Sequence, residues 1–258
     1  MDRQGFLSKE AGSSSKYEEH ATYRDPESLE EVPLVPGMSK TENMLRWGFI
    51  KKVYGIISAQ LVLTAIVAAT ILAVPPVRGF VTTSLWFQIT CAVLPLVGLI
   101  PLYIYSRKHP QNLIILALWT ASLSVGVGTA CTVYKPAVVL EALALTAAIV
   151  LGLTAYTFHA ASKGYSFQRL GPILFAALTA MVLWSIIQVA FGAYVGGPGE
   201  TVFALLGAIV FSGYIVFDTE NLISRHAFCP PLLTLITLHQ DIVNLFLYLL
   251  RLLGNNRN

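Results

Sequence analysis

The chain has 258 residues, of which 55% are hydrophobic and only 12% are charged, whereas a soluble domain carries about 25% charged residues. This composition excludes an ordinary soluble protein and predicts a polytopic membrane protein. Most of the acidic residues precede residue 46, so the net charge of +3 hides an acidic tail and a basic remainder, and no nucleic-acid partner is expected.

The N-terminal region has the composition of an unfolded segment. Residues 1–45 are rich in Ser, Glu, Pro and Lys and contain no apolar stretch like that of a cleavable signal. We therefore predict a disordered cytosolic tail over residues 1–45 and a seven-helix transmembrane domain over residues 46–258. Deleting the tail is expected to leave the transmembrane domain folded and active.

After Trp47, hydrophobic segments of about 20 residues recur, which is the length needed to cross a bilayer core of about 30 Å. The predicted spans are Val53–Val74, Leu85–Tyr105, Leu113–Val133, Ala137–Phe158, Ile173–Tyr194, Thr201–Thr219 and Leu232–Leu253. Turn residues separate them, in "PPVRG", "RKHPQN", "YKP", "SKGYSFQRLGP", "GGPGE" and "SRHAFCPP". The predicted fold is an all-α bundle of seven transmembrane helices in which sequential helices are antiparallel neighbours.

Lysine and arginine residues predict the orientation. If the N-terminus is cytosolic, the basic residues of the loops lie mostly on the cytosolic side, as the positive-inside rule requires. That side then holds Arg46, Lys51, Lys52, Arg107, Lys108, Lys163, Arg169 and Arg225, against Arg78 and Lys135 opposite. The C-terminus is the exception, because an odd number of crossings puts Arg257 on the far side. A re-entrant final segment is therefore an open alternative.

The last span contains a carboxylate, Asp241, in "LHQDIVNLFLYLLRLLG". At the centre of a membrane helix a carboxylate costs about 2.5–3.5 kcal/mol on insertion scales, so it requires a partner or a function. Polar side chains recur on its face at steps of three or four residues: Thr237, Asn244, Tyr248 and Arg251. The sixth span has a similar polar edge, which predicts Asp218 as the partner of Asp241. The two aspartates lie at the same depth in the membrane if the sixth helix continues to about Leu222 or Ser224.

Simpler interpretations exist for each candidate. Asp218 could be solvated at the interface, and Asp241 could form only a packing hydrogen bond. Glu141 is a candidate lining residue of an ion pathway, although an interfacial position is the simpler reading. Arg107 and Lys108 could be ordinary positive-inside anchors. No zinc spacing, phosphate-binding loop or serine nucleophile is present, so neither enzymatic activity nor a cofactor is expected. The glycines of "SVGVGTAC" predict a close helix contact.

Several stretches resemble the transmembrane BAX inhibitor motif family, in particular the plant-like Lifeguard branch. They are "GFIKKVYGIISAQLVLTA", "RKHPQNLIILALWTASLS", "VLEALALTAAIVLGLTAYTF", "GAIVFSGYIVFDTENLI" and "DIVNLFLYLLRLLG", and the resemblance covers residues 46–254 in order. It implies a bundle in which six helices surround the last one. It also implies a calcium leak across endomembranes and restraint of cell death, and it favours a seventh crossing over a re-entrant segment.

The resemblance further implies the roles of individual residues. Asp218 and Asp241 would form a hydrogen-bonded pair that senses pH, and Arg107 or Lys108 would act as a latch on that pair. Chemistry agrees, because two carboxylates in contact cannot both ionise cheaply. Together with Asn244 and Tyr248 they offer too few oxygens for tight calcium binding, which suits a leak with calcium as the permeant ion.

Other functions stay open at this stage. A membrane scaffold that binds cell-death regulators without conducting ions, and a proton-coupled cation exchanger, are the alternatives. An intramembrane aspartyl protease would need Gly-x-Gly-Asp, but Leu238, His239 and Gln240 precede Asp241. A seven-helix receptor would place the tail outside, against the charge distribution. The endoplasmic reticulum is the expected location, with the Golgi, the vacuole and the plasma membrane as alternatives.

Overall fold

The structure, a computed structural model, describes residues 33–106, 108–190, 198–224 and 231–255. Within these ranges the chain forms eight α-helices and no β-strand. The helices are α1 (Lys40–Ala73), α2 (Pro75–Thr83), α3 (Leu85–Ile104), α4 (Gln111–Cys131), α5 (Pro136–Ser162), α6 (Leu170–Ala190), α7 (Pro198–Ser224) and α8 (Pro231–Asn255). All except α2 are long and apolar enough to cross a membrane. The predicted all-α fold with seven transmembrane helices is confirmed.

Helix α1 begins well before the first predicted span. The segment that precedes it is also packed, because Leu34 is buried and its backbone N–H donates to the buried Asn43 Oδ1 at 3.0 Å. The compact part of the molecule begins at Pro33. The structure therefore differs from the predicted tail over residues 33–45. The predicted disorder of residues 1–32 lies outside the described residues.

The connection after α1 is a helix and not the turn that "PPVRG" predicts. Helix α2 starts with two prolines, and proline is favourable in the first turn because its missing N–H has no partner there to lose. Arg78 in α2 donates from Nη2 to the carbonyl oxygen of Thr132 at 2.9 Å. This hydrogen bond joins α2 to the C-terminal end of α4.

Helix α8 lies at the centre of the bundle. In the most apolar stretch of 18 residues in α8, 61% of the residues are buried. The corresponding fraction is 44% in α7 and 33% or less in the other five spans. It packs against α1, α4, α5 and α7, with Leu238, Leu245 and Leu250 among its most buried side chains. Helices α3 and α6 are peripheral and pack mainly on α4 and α7 respectively. The predicted central position of the last helix agrees with this packing.

The outer face of the bundle is apolar. Trp86, Leu151 and Phe175 are examples of large side chains that point away from the interior. Such a surface is unfavourable in water and is well solvated by lipid tails, which are as apolar as leucine. Together with the seven long apolar helices, it makes this chain an integral, multi-pass membrane protein in contact with the lipid bilayer.

Helices α1 and α4 approach closely at Gly128. A Cβ atom at this position would lie 2.7 Å from Ile71 Cδ1 and 3.0 Å from the backbone Cα of Ala68. At Gly126 the nearest atom would be the carbonyl oxygen of Cys91 at 3.9 Å, an ordinary contact. The predicted close helix contact is thus confirmed at Gly128, where only a hydrogen fits.

Candidate functional site

The two membrane aspartates come together between α7 and α8. Helix α7 continues to Ser224, as is required for Asp218 and Asp241 to lie at the same depth in the bundle. The carboxyl group of Asp241 is hydrogen-bonded to Asp218, and the Asp241 residue is only 7% exposed. Within the described ranges, Asp241 Oδ2 has no hydrogen-bond partner. The result is an acidic pair between α7 and the central helix, in which Asp241 is buried and keeps one carboxylate oxygen free of hydrogen bonds to the described residues.

Tyrosine and threonine side chains pack in the part of α7 that carries Asp218. Tyr214, one helical turn before Asp218, lies close enough to feel the charge of both carboxylates. Thr219 is fully buried, and its Oγ1 lies 3.4 Å from the hydroxyl oxygen of Tyr54 in α1. Tyr54 also makes a side-chain hydrogen bond with Thr154 in α5. Helices α1, α5, α7 and α8 therefore all contribute to this region.

The residue after Thr219 attaches the end of α7 to the α5–α6 connection. Glu220 is 2% exposed and accepts hydrogen bonds from the Ser166 hydroxyl and the Phe167 N–H, both at 2.7 Å. The alternative of a solvated interfacial stretch therefore does not hold for Thr219 and Glu220. Asp218 itself is half-buried. These contacts hold the α7 segment that carries Asp218 in a defined position.

Two further residues of the predicted polar face lie on α8 beyond Asp241. Asn244 is half-buried one turn later. The Tyr248 ring stacks on Phe211 with 5.6 Å between ring centroids and lies 6.1 Å from Phe203. Tyr248 is thus part of the aromatic packing between α7 and α8. For both residues, the role of lining an ion pathway stays a prediction.

The remaining candidates lie on other helices or between them. Glu141 is exposed near the start of α5, at the helix end opposite to the one that holds Thr154. Lys108 is exposed, and its ammonium lies 5.3 Å from the centroid of the Tyr105 ring. Arg107 lies outside the described residues. The roles of Glu141 in lining a pathway and of Arg107 or Lys108 as a latch stay predictions.

The far end of α8 makes a second polar contact with α7, which is an ion pair. Arg251 Nε lies 2.8 Å from Glu200 Oε1, and its guanidinium lies 5.6 Å from the Phe203 ring centroid. Asn255 Nδ2 donates to Thr201 Oγ1 at 2.6 Å. The polar face predicted for the last span thus contacts α7 at two levels, one acidic and one an ion pair.

A second polar cluster lies in the bundle interior on the α1 and α4 side of α8. Gln60 Nε2 donates to Thr120 Oγ1 at 2.8 Å, and Ser124 Oγ lies 2.9 Å from Thr64 Oγ1. The ring nitrogen Nε2 of His239 lies 3.5 Å from Thr64 Oγ1. We call these five residues the interior cluster, and sequence reasoning did not find it.

A signal for the interior cluster was nevertheless present. Gln60 and Thr64 are four residues apart in the first span, and Thr120 and Ser124 have the same spacing in the third. This is the spacing that places side chains on one helix face. Uncharged pairs at this spacing are a weaker signal than the charged residues of the last two spans, because a charge costs more in lipid.

The acidic pair has few of the ligands that a tight cation site requires. Among the described residues, no group of three or more His, Cys, Asp or Glu side chains could hold a metal ion. Calcium takes six to eight oxygen ligands, so two carboxylates and neighbouring hydroxyls would bind it only with the help of water.

The sequence is similar to the members of one known protein family. The model of the family described as Inhibitor of apoptosis-promoting Bax1 matches residues 46–258. The chain is 47% identical over 228 residues to the BI1-like protein of Arabidopsis thaliana, which covers 88% of each chain. It is 44% identical to Protein LIFEGUARD 3 of the same organism, over 85% of this chain and 89% of that one. It is 38% identical to the Golgi anti-apoptotic protein of Vaccinia virus (strain Lister), over 81% and 86%.

Proposed function

This chain belongs to the Inhibitor of apoptosis-promoting Bax1 family, and from that membership we propose that it restrains cell death by conducting a pH-sensitive calcium leak across an endomembrane. The acidic pair, Asp218 and Asp241, is the proposed gate. One observation carries the proposal: a carboxyl group on the central helix is buried, and its hydrogen-bond partner is a second carboxyl group on the neighbouring helix.

The acidic pair can act as a protonation switch. While one proton is shared, the hydrogen bond draws α7 and α8 together at this level. When the proton is lost, two like charges face each other in a region of low dielectric and repel. Because α8 packs against four other helices, a shift at Asp241 changes the interior of the whole bundle.

The pair can also attract the permeating ion. Asp241 Oδ2 is free of hydrogen bonds among the described groups, and the Tyr214 side chain lies beside both carboxylates. An ion must bind well enough to enter and weakly enough to leave. Two carboxylates with a few neutral oxygens and water meet that requirement better than a complete calcium cage.

Calcium flux from purified protein in liposomes tests the proposal. Vesicles that contain a calcium indicator should report a leak above that of protein-free vesicles, with a rate that differs across about pH 6 to 8. Absence of a leak at every pH would support the alternative of a scaffold that binds cell-death regulators. A calcium movement that requires an opposing proton gradient would instead support a proton-coupled exchanger.

We place the protein in the endoplasmic reticulum with its N-terminus in the cytosol. The positive-inside distribution of lysine and arginine supports this orientation. The name of one relative, the Golgi anti-apoptotic protein, supports the Golgi as the alternative location. Microscopy of the tagged protein against organelle markers tests the location. Protease accessibility of an N-terminal tag in sealed vesicles tests the orientation.

A further inference from the structure

A cavity separates the second half of α6 from α8. Its volume is about 420 Å³, and Tyr248 lines it on the α8 side. The lining residues of α6 recur at helical spacing and so form one face of that helix: Leu178, Met181, Val182, Ser185, Ile186 and Ala190. The first half of α6 instead packs closely on α7, where a Cβ atom at Gly213 would lie 2.7 Å from Leu174 Cδ2. Helix α6 therefore diverges from the bundle along its length and leaves a groove.

The groove is continuous with the lipid-facing surface of the bundle. Val182 and Ile186 line it and are nevertheless 50% and 58% exposed, so its opening faces the bilayer. Its walls are apolar apart from the hydroxyl groups of Ser185 and Tyr248, and the Ser185 hydroxyl donates to the Met181 carbonyl at 2.9 Å. Apolar cavities of this kind do not hold water. The groove therefore suits an apolar molecule that enters from the membrane.

The dimensions of the groove match one lipid tail. The α6 wall from Leu178 to Ala190 is about 18 Å long at 1.5 Å per residue. This is close to the depth of one leaflet, since the hydrocarbon core of a bilayer is about 30 Å thick. The volume of about 420 Å³ also lies in the range of ligand pockets. A groove that is one leaflet long and open to the side has the shape of an extended acyl chain.

The α8 wall of the groove is held in place by α7. The Tyr248 ring lies directly on Gly207, where a Cβ atom would overlap it, and it stacks on Phe211. Tyr248 therefore cannot turn to fill the groove without leaving these contacts. An unfilled groove loses dispersion contacts along both walls. A molecule from the bilayer that fills it restores them.

Arg251 lies towards the end of the groove at which α6 and α8 both end. It follows Tyr248 by one helical turn and is close enough to act on it electrostatically. The Arg251 side chain is 36% exposed, although its Nε is paired with Glu200 Oε1. A guanidinium has five N–H donors and is well suited to phosphate. A phosphate group is thus the headgroup that complements this end of the groove.

We propose that the groove between α6 and Tyr248 binds one acyl chain of a membrane phospholipid, with the phosphate of that lipid beside Arg251. The lipid belongs to the leaflet on the side where α6 and α8 end. This site is separate from the acidic pair and does not depend on the proposed leak. Because Tyr248 follows Asp241 by two helical turns on the same face of α8, the bound chain also supports the face that carries Asp241.

Native mass spectrometry of the purified full-length protein, supplemented with palmitoyl-oleoyl-phosphatidylcholine in mild detergent, tests this site. Ser185→Phe places a ring in the groove. Ala180→Phe is the matched control, because Ala180 is exposed on the opposite face of α6 and does not line the groove. If the Ser185→Phe variant does not fold, Ser185→Leu fills the groove less completely and supplies the same comparison.

The wild type and the Ala180→Phe variant should each retain one phospholipid per chain. The Ser185→Phe variant should bind it about tenfold or more weakly, because the ring and the acyl chain compete for one space. Added phospholipid should also raise the unfolding midpoint of the first two proteins and leave that of Ser185→Phe unchanged. The reason is that a ligand that binds only the folded state stabilises it.

Several results would overturn the lipid site. They are the absence of retained phospholipid in the wild type, equal retention by Ser185→Phe and Ala180→Phe, and retention of detergent in place of phospholipid. A diacylglycerol with the same two chains lacks the phosphate, and its retention as strongly as the phospholipid would refute the contact with Arg251. These measurements do not involve calcium flux, so the lipid site and the leak can fail independently.

Discussion

At the scale of single residues, the protein places acidic groups where a membrane protein can least tolerate them. Asp241 lies in the most buried helix, and Glu220 is buried close to one end of α7. The two are compensated differently. Glu220 accepts hydrogen bonds from a hydroxyl and a backbone N–H, whereas the partner of Asp241 is another acid. The first arrangement stabilises structure, and the second is the proposed proton-responsive gate.

We expect the Asp241→Asn substitution to weaken the pH response of the calcium leak. Asparagine keeps the size and the hydrogen bonding of aspartate, but the remaining carboxyl group of Asp218 then no longer shares a proton with a second one. The leak should also fall, because the pathway loses up to one negative charge. Flux in liposomes across about pH 6 to 8 measures both effects.

Asp218→Asn is the matched variant for this experiment. It should change the pH profile in the same way, since either amide removes the shared proton. Identical profiles for the wild type and both variants would refute the gating role of the acidic pair and leave the fold assignment intact. A packing role for Asp241 alone predicts lower stability with an unchanged pH dependence.

We expect the Glu220→Ala substitution to lower the free energy of unfolding by about 1–3 kcal/mol, because the Phe167 N–H and the Ser166 hydroxyl lose their acceptor. Glu220→Gln keeps one acceptor oxygen and should cost less. The thermal unfolding midpoint of the purified protein in detergent measures the difference. A midpoint for the alanine variant equal to that of wild type would show that this contact does not hold α7 in place.

At the scale of helices, glycine sets the distance between neighbours. Helices cannot gain free energy from a hydrophobic effect within lipid, so close packing of backbones is a main source of their association. The α1–α4 contact at Gly128 is of this kind, and it lies on the same helix pair that supplies four residues of the interior cluster. Separation of α1 from α4 would therefore disturb that cluster as well.

We expect Gly128→Ala to destabilise the protein by about 1–3 kcal/mol, the usual cost of inserting a methyl group into a packed interior. The new Cβ would meet the backbone of α1 at Ala68, which cannot rotate away. Gly152→Ala in α5 is the control, because a Cβ there meets nothing within 4 Å. Equal unfolding midpoints for the two variants would argue against a tight α1–α4 contact.

At the scale of the whole molecule, one helix organises the others. Helix α8 is the only span among those described with more than half of its apolar window buried, and it contacts α7 through both the acidic pair and the Arg251–Glu200 ion pair. A polar central helix is costly to place in lipid alone. Its neighbours make that placement favourable, so the bundle and its polar interior depend on each other.

The N-terminal limit of the folded domain gives a prediction at this scale. Deletion of residues 1–32 should leave the unfolding midpoint unchanged, because the compact part begins at Pro33. Deletion through residue 45 should lower it, since burial of Leu34 alone contributes about 1.5–3 kcal/mol and its hydrogen bond to Asn43 is also lost. Equal unfolding midpoints for both truncations would show that the folded domain begins after residue 45, as the composition of the sequence predicts.

The sequence by itself determined the membrane class, the seven apolar spans and the pairing of Asp218 with Asp241. Hydropathy over about 20 residues and helical periodicity are local properties, so they can be read without knowing which helices meet. The pairing was accessible for the same reason, because the two aspartates lie on consecutive spans that a short connection forces to be neighbours.

Only the tertiary structure decided which distant faces share the interior. The interior cluster combines the first, third and last spans, and Glu220 is satisfied by a connection more than fifty residues away along the chain. The packing of Leu34 likewise depends on a hydrogen bond to α1 that composition cannot reveal. Burial of a polar side chain is a property of the whole bundle, because its cost is offset by partners that only packing brings within reach.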